Sequence, residues 1–185
     1  MDNKAFLKKI KDEDIEYVDI RFTDTRGKLQ HVTVVNDLVD EDFLEEGFMF
    51  DGSSIAGWKS IEASDMKLMP DVASAYVDPF YAEKTICVHC SIVEPDTGES
   101  YERDPRGTAE KAEAYLKSSG IGDTAYFGPE AEFFLFDDVK FSNSINKVSY
   151  EVDASDASWN TDTDYEMGNM GHRPGLKGGY FPVNP

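Results

Sequence analysis

Apolar positions recur at two spacings along this chain, and the changes of spacing mark its elements. Phe6 and Ile10 lie four apart in segment 2–10, one face of a short helix that Asp2 or Asn3 can cap. From Tyr17 to Phe22 the period drops to two, with Val18, Ile20 and Phe22 on one side, and a second strand runs from Leu29 to Val35. Thr25-Arg26-Gly27-Lys28 between them reads as a turn, so the pair predicts a hairpin. Leu38, Val39, Phe43 and Leu44 return to helical spacing over 38–46, and Gly47 can stop that helix. Strand-like runs follow at Met66–Met69, Ser74–Val77 and Thr85–Val93, the last closed by Pro95-Asp96-Thr97-Gly98. This first part predicts a small α+β domain, mostly antiparallel.

Asp104-Pro105 opens a new element, since Asp at the N-cap and Pro at the first helical position favour a helix start. Ala109, Ala112, Tyr115 and Leu116 form its expected buried stripe, and Gly120 ends it. A strand is expected from Tyr126 to Phe136, with Gly128-Pro129 near its start. Beyond Phe141 the chain turns polar and glycine-rich, and residues 168–185, with Gly168, Gly171, Gly175, Gly178 and Gly179, show no period, which predicts a long loop of functional or disordered kind. These changes divide the chain into domains 1–103 and 104–185. The second has no further element to close it before Pro185, so the chain is expected to be a fragment.

The chain has 185 residues, 40% apolar and 30% charged, with 12 Phe and 9 Tyr, which excludes a disordered tail and a collagen-like fibre. No window reaches the ~20 apolar residues of a membrane span, and Met1 opens a polar segment rather than a signal peptide. Eighteen basic residues against 37 acidic ones give a net charge of −19. That charge repels phosphate polymers and anionic lipid, so neither nucleic acid nor a membrane is an expected partner. Cys87 and Cys90 form a C-x-x-C, but three residues apart on a strand their thiols face opposite ways. A core Cys90 and a free Cys87 are expected, and unpaired thiols fit a reducing cytoplasm.

Three segments could carry chemistry. In Phe127-Gly128-Pro129-Glu130-Ala131-Glu132-Phe133-Phe134-Leu135-Phe136, a strand would put Glu130 and Glu132 on one face, about 6.6 Å apart. Phe134 and Phe136 continue that face, so the two carboxylates would be desolvated and would need protons or cations. Hard ions such as Mg²⁺ or Mn²⁺ take such oxygen ligands, often beside substrate phosphates. An edge strand with solvated acids is the competing reading. In Phe48–Trp58, Asp51 and Ser54 are three apart on a loop; an Asx-turn is the plainer interpretation, and an exposed Ile55 and Trp58 would meet another subunit. In Gly171–Pro182, Arg173 and Lys177 among glycines could meet an anion, or the segment is a surface loop. No P-loop or dinucleotide motif occurs. Asn160-x-Asp162-x-Asp164 fails as a calcium loop, with Tyr165 where Gly is needed and Gly171 where Glu should stand.

Taken together, FMFDGSSIAGW (48–58), SDMKLMPD (64–71), YFGPEAEFFLFDD (126–138) and GHRPGLKGGYFPVNP (171–185) closely resemble bacterial type I glutamine synthetase, over essentially the whole chain. The resemblance implies an α+β architecture: an N-terminal β-grasp domain, then the start of a catalytic domain built on an antiparallel sheet. It implies joining of glutamate to ammonia with ATP through γ-glutamyl phosphate, for nitrogen assimilation, with Mg²⁺ or Mn²⁺ at two sites. It assigns Glu130 and Glu132 one cation each, Gly128 to cofactor binding, and Asp51, Ser54 and Tyr180 to an ammonium pocket shared with a neighbouring subunit. It further implies a cytoplasmic homo-oligomer, a dodecamer in the family. Asn184 stands where the family motif has proline, a minor departure. The family's other metal, ATP and glutamate ligands lie further on, so the chain alone is expected to bind metal weakly and to be inactive. Two rivals remain: a ligase for a larger amine, and a non-catalytic structural relative.

Overall fold

The side chain of Asp2 accepts a hydrogen bond from the Ala5 N–H at 2.8 Å and so starts α1 (Asn3–Asp12), whose Phe6 and Ile10 are buried. The computed structural model from which this architecture is taken describes residues 1–168. The chain divides into two compact units, Met1–Tyr126 and Phe127–Pro185.

In the first unit β1 (Tyr17–Thr23) and β2 (Leu29–Val35) form the expected hairpin, in register from Tyr17↔Val35 to Thr23↔Leu29. Gly27 turns it with φ +80°, a conformation that Cβ disfavours. The helix expected over 38–46 is shorter. α2 spans Glu41–Glu46 because the Asp40 carboxylate bonds the Phe43 N–H at 2.8 Å and sets the cap there, leaving Asn36–Leu38 as a separate 3-10 turn. Next come β3 (Phe48–Asp51), β4 (Asp65–Val77) and β5 (Thr85–Val93). The two short runs expected at 66–69 and 74–77 are one strand, β4, interrupted by a register shift between Asp71 and Tyr76. Pro70 fits because β3 pairs only with Asp65–Leu68, so no partner on that side needs a proline N–H.

The sheet order is β2-β1-β5-β4-β3. Three pairings are antiparallel, and β1 with β5 is parallel, as the long connection between them permits. Val18, Ile20 and Phe22 from β1 and Ile86, Val88, Cys90 and Ile92 from β5 join Phe6 and Ile10 of α1 in one core. Alternation puts Asp19, Arg21 and Cys87 on the other face. There Asp19, fully buried, accepts hydrogen bonds from Thr33 Oγ1 (2.6 Å) and Arg21 Nε (2.6 Å) and lies 2.7 Å from His31 Nδ1. Arg21 also bonds Asp78 at 3.0 Å and the Tyr76 hydroxyl. Both cysteines are free and buried, and burial pushes the Cys87 thiol up to about 11, which disfavours the thiolate that redox chemistry needs.

α3 (Pro105–Ser119) has the expected Asp104 cap and ends on a left-handed Gly120. Asp104 is itself buried and also accepts the Ile92 N–H at 3.0 Å, tying the helix start to β5. The expected stripe is not buried. Ala109 and Ala112 are exposed, Leu116 is only partly covered and Tyr115 is 75% exposed; the side-chain bonds between the helix and β5 are made by Arg106 and Glu110, near its start, both with Ser91. Tyr115→Ser should therefore shift the urea unfolding free energy of this chain by less than about 0.5 kcal/mol, the range for substitutions at exposed positions.

In the second unit β6 (Asp138–Ser144) and β7 (Lys147–Asp153) form a hairpin where the sequence pattern predicted no element, while the loop expected at 168–185 lies, beyond Gly168, outside the described residues. Val139, Phe141, Val148, Tyr150 and Val152 do alternate there, a signal masked by the polar residues between them. Asp153 gathers the following loop: Thr161 and Tyr165 hydroxyls and the Ala154 N–H bond its carboxylate, which is held down to about 2, chiefly by Thr161.

Candidate active site

β3 delivers Asp51 to the end of its pairing with β4, opposite Asp65. Gly52–Ser54 then make one 3-10 turn, pinned to β4 by the Gly52 N–H on the Ser64 carbonyl at 2.7 Å. The turn stays close because Gly52 is buried and lacks Cβ. A methyl there would come within 2.5 Å of the Met66 sulfur and 3.1 Å of the Ser64 oxygen. Asp51 Oδ1 accepts both the Ser53 N–H (2.8 Å) and the Ser53 hydroxyl (2.6 Å). The first bond is the Asx-turn anticipated as the plainer reading; it coexists with an exposed carboxylate and does not exclude a role for it. These bonds, the Ser53 hydroxyl first, hold the Asp51 carboxyl below the ordinary aspartate value, with Ser64 and Ser54 contributing less. Ser54 is exposed beside it.

The apolar residues of this loop turn inward rather than out to a partner. Trp58 is 6% exposed, its ring 5.3 Å from Tyr101 and 5.6 Å from Phe22, and Ile55 packs against the same core. Covering Trp58 favours this packing through its large apolar area. The loop is thus a braced platform with a polar tip. Sequence reasoning missed Ser53 and Ser64, although an Asp-x-Ser spacing on a turn is the signal that could have found Ser53.

Glu130 and Glu132 belong to the second unit. The strand expected to carry them is absent: residues 124–136 have no regular structure, and both carboxylates are exposed. Phe134 and Phe136, expected to continue their face and desolvate them, are 86% and 40% exposed. A strand needs a neighbour for its N–H and C=O groups, and among the described residues the hairpin of this unit pairs only with itself. The apolar enclosure that would have called for protons or cations is not formed within this unit. No group of three or more His, Cys, Asp or Glu able to hold a metal occurs among the described residues. The two carboxylates have the right donor chemistry for a hard cation but do not by themselves make its site. Gly128 is exposed, with no atom within 4 Å of where a Cβ would lie, so no close approach accounts for this glycine. Tyr180 and the whole 171–185 motif lie outside the described residues. No helix among the described residues is long and apolar enough to cross a membrane.

A five-stranded mixed sheet carrying an Asp-Gly-Ser-Ser turn with an exposed Asp51, followed by a capped helix and a second compact unit, defines a β-grasp module with a further unit after it. Two family models match accordingly: the glutamine synthetase β-grasp domain over residues 14–95 and the glutamine synthetase catalytic domain over 102–185. The chain belongs to the glutamine synthetase family. It is 75% identical over 179 residues to a glutamine synthetase of Cereibacter sphaeroides and 71% identical over 182 residues to one of Rhodobacter capsulatus. These alignments cover 97% and 98% of this chain but 38% and 41% of those relatives. A cryo-EM structure of Plasmodium falciparum glutamine synthetase superposes with a TM-score of 0.62 at 25% identity, over 82% of this chain and 29% of that one.

Proposed function

We propose that this chain takes part in ATP-dependent ligation of ammonia to glutamate, within a protein of its relatives' length. Family membership gives the reaction class, and the observation that carries the reading is the Asp51 turn: an exposed, hydrogen-bonded carboxylate that stays ionised, with Ser54 beside it. In the reaction proposed, the γ-phosphoryl group of ATP passes to the γ-carboxylate of glutamate, giving γ-glutamyl phosphate and ADP. Asp51 attracts ammonium and accepts one of its protons. The ammonia so formed attacks the acyl carbon, phosphate leaves with the electrons of the acyl C–O bond, and the nitrogen gives its surplus proton to the departing phosphate, leaving the amide.

Ser54 and Tyr180 are assigned to the same ammonium pocket, and Gly128 to cofactor binding, in a cytoplasmic homo-oligomer, a dodecamer, whose subunits share sites. Glu130 and Glu132 would lend oxygens to Mg²⁺ or Mn²⁺, whose charge offsets that of phosphates when bound; no step above runs through a metal. Asp51→Ala in an enzyme of the relatives' full length should lower glutamine formation by about 100-fold or more while sparing glutamate phosphorylation, since one charged group at the developing charge is worth about that much. Equal loss of both activities would remove Asp51 from this role.

A further inference from the structure

An exposed carboxylate at a loop tip ordinarily samples several rotamers, and that freedom must be given up when it meets a substrate. Asp51 is constrained in advance. The N–H and the hydroxyl of one residue, Ser53, converge on a single oxygen, Oδ1, at 2.8 and 2.6 Å. The N–H bond belongs to any Asx-turn, but the hydroxyl bond does not. It requires the Ser53 side chain to turn back over the 3-10 turn, whose place is fixed by the Gly52 N–H on Ser64. The donors seen on Asp51 are Ser53 groups, with Ser64 and Ser54 contributing less, so hydroxyls and an N–H rather than a lysine or arginine orient it. A cationic neighbour would compete with a cationic substrate; a hydroxyl orients the anion without neutralising it.

We propose that Ser53 is a positioning residue: by occupying Oδ1 with two donors it fixes the Asp51 rotamer and presents Oδ2 to the ammonium ion. The proposal rests on Asp51 being the ammonium-binding carboxylate. Ser53 itself touches neither ammonium nor glutamate, so its effect is confined to the nitrogen substrate.

The test uses an enzyme of the relatives' full length carrying this segment, in four forms: Ser53→Ala, Ser53→Thr, Asp51→Asn and the double variant combining Asp51→Asn with Ser53→Ala. Ser53→Ala should raise the KM for ammonium about tenfold, the loss of one charge-assisted hydrogen bond. The KM for glutamate should stay within about twofold, because uniform damage would move both. Ser53→Thr keeps the hydroxyl and should restore the ammonium KM. Adding Ser53→Ala to Asp51→Asn should change nothing further, since the two act as one unit. Ser53→Ala raising both KM values alike, or leaving the ammonium KM unchanged while Asp51→Asn raises it, would overturn the positioning role and leave Asp51's role standing. An ammonium KM untouched by Asp51→Asn would instead bring down the reading of Asp51. As a measurement independent of turnover, carboxyl-carbon NMR titration of the 185-residue chain should show the Asp51 pKa rising in Ser53→Ala and not in Ser53→Thr; no rise in Ser53→Ala overturns the proposal.

Discussion

Replacing Asp19 with alanine should lower the unfolding free energy of this chain by about 3–5 kcal/mol, the cost of breaking a buried ion pair from one side. Asp19 is fully buried, and the side chain of Arg21 is only 13% exposed. Without Asp19 the guanidinium keeps Asp78 and Tyr76 but loses the carboxylate on its Nε, while Thr33 Oγ1 and His31 lose their shared partner. Urea unfolding at neutral pH measures the loss, and a change below about 1 kcal/mol would mean the network is not what holds β1, β2 and the β4–β5 connection together. The pH dependence gives a second check. Burial alone would raise the Asp19 carboxyl, but hydrogen bonds from Thr33, Arg21 and His31 outweigh it and leave the group below the ordinary aspartate value. A depressed folded pKa contributes stability at pH above the unfolded value of about 3.9, lost as pH falls through the folded one. Wild type should therefore lose stability in the acid range through this group, and Asp19→Asn should be missing that component of the pH profile.

Local periodicity was sufficient where an element completes itself. α1, the β1–β2 hairpin, β5 and the Asp104–Gly120 boundaries of α3 depend on caps, turns and alternation within a few residues, and the structure has them where the pattern put them. It was insufficient where burial depends on a partner. The apolar stripe of α3 is real, yet within its unit no element packs against most of it. The Glu130–Glu132 segment has a strand's composition but pairs with no strand among the described residues. The hydrophobic pattern states what a segment would do if covered, not whether anything covers it.

Buried polarity was the other blind spot. Asp19 and Asp104 sit at positions where a charged residue reads as solvent-facing, and both are buried because hydrogen-bonding groups from distant segments converge on them. For Asp51 the motif located the residue, and only the structure identified its donors, since Ser53 and Ser64 act through the geometry of the turn. Trp58 shows the reverse error: a large apolar residue on a loop suggested an interface, while the fold used it to roof its own core.

Gly52→Ala should damage function more than stability. Its added methyl meets the Sδ and Cγ of Met66, a fully buried residue of β4, at 2.5 and 2.7 Å and the Ser64 carbonyl oxygen at 3.1 Å. Either Met66 repacks inside the core or the turn lifts off β4, stretching the Gly52–Ser64 hydrogen bond. Overpacking of this kind costs about 1–3 kcal/mol, which the fold can survive. The turn, however, carries Asp51 and Ser53, and a displacement near 1 Å in a reacting geometry costs about 100-fold in rate. In an enzyme of the relatives' full length, kcat/KM for ammonium should fall by about that factor, with the glutamate KM little changed. Gly122→Ala is the control, because its methyl meets only Leu116 Cδ1 at 3.6 Å, an ordinary contact. A Gly52→Ala enzyme with wild-type ammonium kinetics would mean that Met66 absorbs the methyl and that the tight seat of this turn on β4 does not set where Asp51 points.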